Sequence, residues 1–89
     1  MSEAEILEAL AGIQYAADVR EPPDEPRRVR FRDGWVDAAD RGRVYTEETL
    51  YQLTWQNLGY RLGRKFGHRP ADEIDGTFEV LARHYGGAT

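Results

Sequence analysis

The segment Tyr45 to Gly67, YTEETLYQLTWQNLGYRLGRKFG, constrains this chain most, because its apolar and glycine positions each keep a helical period. Tyr51, Trp55, Leu58, Leu62 and Phe66 recur at steps of four, three, four and four. On a helical wheel they fall within about 80°, which is a stripe that must be buried. Thr46 is placed to cap the start, with Glu47 and Glu48 in the first turn, where carboxylates suit the positive helix end. Gly67 then serves as a C-terminal cap and Pro70 opens the next helix. The expected element is one helix over residues 46–66. Leu50 and Leu53 lie off the stripe, and Thr54 is placed to cap a second segment, so a break near Thr54 is the alternative.

Gly59, Gly63 and Gly67 form a second line on the same helix. A helix-interior glycine costs about 0.5–1 kcal/mol relative to alanine, so two of them need a reason. Close approach of another backbone supplies one. That backbone is either one of the chain's own helices or a partner, which makes Trp55, Gly59 and Gly63 the candidate protein interface, including a homodimer seam.

The strand signal lies between Arg27 and Tyr45. Val29 and Phe31 alternate with Arg28, Arg30 and Arg32, and Asp33-Gly34 is a two-residue hairpin turn signal. Folding about that turn sets Arg32 opposite Trp35, Phe31 opposite Val36, Arg30 opposite Asp37 and Val29 opposite Ala38. One face is then apolar and the other holds an Arg–Trp stack and an Arg–Asp pair. Arg43 to Tyr45 adds a short third strand.

Flanking segments read more simply. Ser2 and Glu5 form a capping box, and Ile6, Leu10, Ile13 and Ala17 give a helix over 3–17. Residues 18–26, DVREPPDEP, form a Pro-rich linker, with only a weak PxxP character between acids. Pro70, Asp72 and Glu73 start a helix over 70–85, whose stripe is Ile74, Phe78, Leu81 and Tyr85. The expected fold is α+β, in a single small domain over 1–89: three helices packed on a small antiparallel β-hairpin or three-stranded meander.

The chemistry implied is that of binding. At 89 residues without cysteine, the chain has no disulfide or thiolate metal site, and a core this size favours a surface over a deep catalytic cleft. The single serine is Ser2, so no hydrolytic nucleophile arrangement is expected. His68 and His84 have no metal-specific spacing, and no glycine loop joins a strand to a helix. No cofactor, metal or catalytic residue is therefore assigned, although a small enzyme built around His68, tyrosines and carboxylates is a third option. The absence of a long apolar run or signal-like start leads us to expect a cytoplasmic protein with no membrane partner.

Charge is unevenly distributed. The net charge of −4 divides into −6 over residues 1–26, +3 over 27–43, +2 over 44–69 and −3 over 70–89. On the expected strand Arg28, Arg30 and Arg32 project about 6.7 Å apart, close to the spacing of successive phosphates. Trp35 offers a stacking surface beside them, and Arg61, Arg64, Lys65 and Arg69 form a second basic patch. These are the candidate nucleic-acid contacts. The leading expectation is a small non-enzymatic binding or regulatory module acting through protein contacts, with itself or another protein. Nucleic-acid binding is the alternative.

The run ETLYQLTWQNLGYRLGRKFG, with Leu53-Thr54-Trp55, Asn57-Leu58-Gly59 and Leu62-Gly63 as its distinctive points, resembles small uncharacterised proteins of halophilic archaea. That resemblance implies a stand-alone small domain and carries no activity or site residue with it.

Overall fold

The computed structural model describes residues 2–12, 21–50 and 54–86, and these fold as α-helices α1 (Glu3–Ala11), α2 (Glu25–Ala39), α3 (Glu47–Leu50), α4 (Trp55–Phe66) and α5 (Ala71–Gly86). Among the described residues there is no strand. The architecture is all-α, which corrects the expected α+β fold.

The correction concerns α2. Asp24 caps it, its carboxylate accepting the Arg27 N–H at 3.1 Å, and Pro26 sits in the first turn, where a missing N–H is harmless. The Arg-Val-Arg-Phe-Arg alternation covers too few residues to separate a period of 2 from one of 3.6. Over the whole helix the buried positions are Phe31, Gly34, Trp35 and Asp37, a helical face. Val29, expected to share an inner face with Phe31, is 52% exposed while Phe31 is fully buried. The expected Arg32–Trp35 and Arg30–Asp37 cross-strand pairs do not form. Residues 42–46 carry no third strand.

Gly34 is the decisive residue, and its role is contact rather than turning. A Cβ on Gly34 would lie 2.0 Å from the Gln56 carbonyl oxygen of α4. Reciprocally, a Cβ on Gly59 would lie 2.0 Å from the Phe31 carbonyl oxygen, and one on Gly63 would lie 2.6 Å from that of Trp35. Helices α2 and α4 therefore meet backbone to backbone through glycines contributed by both, and theirs is the most extensive pairing among the described helices. Each glycine weakens its own helix; together they bring large side chains on either side of the seam into contact.

Those side chains make the core. Phe31 is its centre, with ring centroids 6.0 Å from Trp35, 6.1 Å from Trp55 and 5.6 Å from Phe78. Trp35 stacks on Phe66, and Trp55 meets Phe78 at 4.7 Å and the edge of Tyr85 at 5.7 Å. Leu58, Leu62, Ile74 and Leu81 fill between them, and α1 closes one side with Ile6, Ala9 and Leu10. Both indole N–H groups are satisfied by backbone carbonyls, Trp35 Nε1 donating to Gly67 at 3.0 Å and Trp55 Nε1 to Glu21 at 2.9 Å. Such pairing matters because an unmet buried donor costs about 1–3 kcal/mol.

Helix boundaries differ from expectation in four places. Helix α1 ends at Ala11, where the Gly12 N–H returns to the Ala9 carbonyl; Ile13 and Ala17 lie outside the described residues. The 46–66 helix is broken. Thr46 caps α3, accepting the Thr49 N–H, and Thr54 caps α4, accepting the Asn57 N–H at 3.1 Å. Tyr51 to Leu53 lie outside the described residues, whereas Trp55, Leu58, Leu62 and Phe66 form the inward stripe of α4. The linker gives up Glu25 and Pro26 to α2, and Asp18 to Arg20 lie outside the described residues. Helix α5 shifts by one residue at each end and buries Ile74, Phe78 and Leu81 as expected.

Gly76 differs from the seam glycines. It lies in the interior of α5 with open space where a Cβ would project. Gly76→Ala is expected to raise the unfolding free energy by about 0.5–1 kcal/mol, read from urea denaturation. An unchanged or lower midpoint would contradict the position assigned to it.

Candidate functional site

Two surface features flank α2, a polar cleft on one side and an apolar groove on its outward face. The cleft is built around Asp37, whose side chain is almost fully buried. Its carboxylate accepts the Tyr45 hydroxyl at 2.6 Å and Arg41 Nη1 at 2.9 Å, with Arg43 Nε at 3.6 Å. Burial alone would raise this carboxyl, but the hydrogen bonds from Tyr45 and Arg41 and the Arg43 charge outweigh it and hold the group below its ordinary value. Burial first, and then the bond to Asp37, push the Tyr45 phenol up to about 12.

Tyr45 in turn ties the 40–46 loop to α4. Its ring stacks on Tyr60 at 3.9 Å, its N–H donates to the Tyr60 hydroxyl at 3.2 Å, and Tyr60 donates to the Arg43 carbonyl at 2.9 Å. Gln56 Nε2 donates to the Tyr45 hydroxyl. On the far wall Glu21 accepts the Trp55 N–H at 2.9 Å, satisfying an orphan donor at the start of α4. Arg27, Arg30 and Arg43 reach the same space, which has a volume of about 540 Å³.

The groove, of about 520 Å³, runs along the outside of α2. Pro26, Val29 and Val36 form its floor, and Arg30, Arg32, Asp33 and Arg41 its rim.

The expected site residues scatter over this fold. Trp55 is fully buried, and Gly59 and Gly63 face the backbone of Phe31 and Trp35; the chain's own α2 occupies the glycine edge. Trp35, expected as a stacking surface, is fully buried. The three-arginine ladder dissolves, because alternate residues on a helix point to opposite sides. Arg28 and Arg32 turn to α5, reaching Asp75 Oδ2 at 2.9 and 2.5 Å, while Arg30 stays exposed. Arg61 is half-buried and engaged within the fold. Arg64 lies over the Tyr60 ring at 5.9 Å, Lys65 is exposed, and Arg69 donates to the His68 carbonyl and approaches Glu73. His68 Nδ1 lies 2.8 Å from Asp40 Oδ1 on the surface. Among the described residues no cluster of His, Asp and Glu could hold a metal, and no helix is long and apolar enough to cross a membrane. Sequence reading missed the Asp37–Tyr45–Tyr60 arrangement altogether. Only the four-residue step from Asp37 to Arg41 hinted at it.

No protein-family model, curated protein or solved structure matches the chain.

The Asp37 hub has a pH consequence. Because its folded carboxyl lies below the ordinary 3.8, the stability it confers is complete above that value and is lost as pH falls through the folded one. Asp37→Asn is expected to cost about 1–3 kcal/mol at neutral pH and to flatten the stability loss below pH 3.8. Tyr45, with its folded value raised, stabilises fully below its ordinary 10.0 and less as pH climbs towards about 12. Absorbance titration of the phenols should show a late step near that value, absent in Tyr45→Phe. A parent protein whose tyrosines all ionise near 10 would contradict the Tyr45–Asp37 bond.

Proposed function

We propose that this chain is a non-enzymatic binding module that works through protein contacts, with the outward face of α2 as its contact surface and a second copy as its first partner. One observation carries the reading: a groove floored by Pro26, Val29 and Val36 on a helix whose other face is committed to the core. Val29 is 52% exposed, one of two large apolar residues so placed among those described. A partner that covered it would remove apolar surface from water.

The face is self-complementary. An antiparallel pairing about a two-fold axis between Arg32 and Asp33 sets Val29 of one copy opposite Val36 of the other. Arg32 and Asp33 beside that axis already pair with Asp75 and Arg41 within the chain, so the apolar pair carries the contact. Antiparallel alignment also opposes the two helix dipoles favourably, and an isologous contact of this kind closes as a dimer. One fifteen-residue helix face is a small interface, so the association belongs to the weak, concentration-dependent class.

Nucleic-acid binding draws less support. Arg28 and Arg32 are engaged with Asp75 and Trp35 is buried, which weakens the first half of that surface. In the second patch Arg61 and Arg69 are engaged within the fold, while Arg64 and Lys65 stay exposed.

Sedimentation equilibrium from roughly 10 µM to 1 mM, the span of weak interfaces, tests the proposal. The parent is expected to move from 10.2 kDa towards twice that mass, and Val29→Glu to stay monomeric with an unchanged far-ultraviolet circular dichroism spectrum. A parent that remains monomeric throughout would sink it.

A further inference from the structure

We infer that the polar cleft between α2 and the start of α4 is a binding site for a small phosphorylated molecule. Its cations are arranged for an anion. Arg30 has no ion-pair or hydrogen-bond partner among the described residues and stands at the mouth. Arg43 is 68% exposed at its side chain, and its nearest carboxylate oxygen, on Asp37, lies at 3.6 Å. Arg27 Nε is buried without a hydrogen-bond partner, 3.8 Å from Glu21 Oε2.

The two acids of the cleft are already engaged. Glu21 accepts the Trp55 N–H, and Asp37 accepts Tyr45 and Arg41. Glu21 Oε2 faces Arg27, whose Nη1 is already held by Asp24 at 3.1 Å, whereas Arg30 has no partner among the described residues and Arg43 has only its long approach to Asp37. Arg30 from the helix and Arg43 from the loop, with the partly engaged Arg27 behind them, match a group with several acceptor oxygens and more than one negative charge, which is a phosphoryl group. A lone carboxylate would leave part of this donor set unmet. The space of about 540 Å³ exceeds what a phosphate ion fills and lies in the range of small-molecule sites. Thr49 and Thr54 line the remainder with hydroxyls suited to those of a sugar, and Asn57, buried and engaged with the Thr49 carbonyl, backs them. The ligand class is therefore a phosphomonoester with a polar body.

The test is a titration at low salt with inorganic phosphate and, separately, ribose 5-phosphate, followed by amide chemical shifts and calorimetry. Saturable binding is expected for both, tighter for the sugar phosphate, with shifts concentrated on Tyr45, Thr49 and Asn57. Arg43→Ala and Arg30→Ala should each weaken it about tenfold or more, the loss of a charge-assisted contact. Arg64→Ala, whose guanidinium lies over Tyr60 and not in the cleft, should leave it unchanged. Arg30 is exposed and unpartnered, so its variant remains folded and informative. Binding of phosphate alone, equal in all variants, would show an adventitious ion only and overturn the site, as would no saturable binding by the parent. Repeating the titration on Val29→Glu separates the two proposals: anion binding there survives a failure of self-association.

Discussion

Everything in this fold depends on two helices being allowed to touch along their backbones. Gly34 on α2 and Gly59 and Gly63 on α4 remove the atoms that would otherwise hold the axes apart. Close approach brings the large residues beside the seam, Phe31, Trp35, Trp55 and Leu62, into one sealed layer. Three interior glycines would weaken isolated helices by about 1.5–3 kcal/mol together. The aromatic core that their absence of side chains permits outweighs that loss, since burying one large apolar side chain contributes about 1.5–3 kcal/mol.

The seam also fixes what lies at its edges. With α2 and α4 in contact, Asp37 is carried inside and must find partners, which the 40–46 loop supplies through Arg41, Arg43 and Tyr45. The start of α4 is likewise brought against Glu21, which satisfies the Trp55 N–H and, through its carbonyl, the indole. The polar cleft is thus a by-product of the apolar seam: its walls are the segments drawn in to satisfy groups the seam buries. The outward face of α2 is the complementary outcome, a surface left over after the inward face is committed.

How much of this was legible in the sequence follows from the length of each pattern. The α4 stripe of Trp55, Leu58, Leu62 and Phe66 repeats often enough to identify a helix, and the glycine line correctly demanded a close backbone neighbour. The Thr54 cap was visible as an alternative, and the Ile74, Phe78 and Leu81 stripe marked α5. Helix α2 was misread because five residues of Arg and apolar alternation fit either period, and because Asp-Gly is a turn signal unless another backbone requires that glycine. Nothing local distinguishes a glycine needed for φ from one needed for contact; Gln56, which decides the matter, lies on another helix. The site was less legible still. Arg28 and Arg32 look like a cationic surface until α5 presents Asp75, and Tyr45 meets Asp37 only because Tyr60 holds it there.

The seam can be tested at one atom. Gly59→Ala adds a single methyl group where helix propensity favours it, so an unobstructed position would gain about 0.5–1 kcal/mol. The account predicts the opposite, a loss of at least about 2 kcal/mol in the urea unfolding free energy, because overpacking against the Phe31 carbonyl must push α2 away from α4. Unchanged or increased stability of Gly59→Ala would mean that the two backbones do not meet, and the arrangement built on that contact would fall.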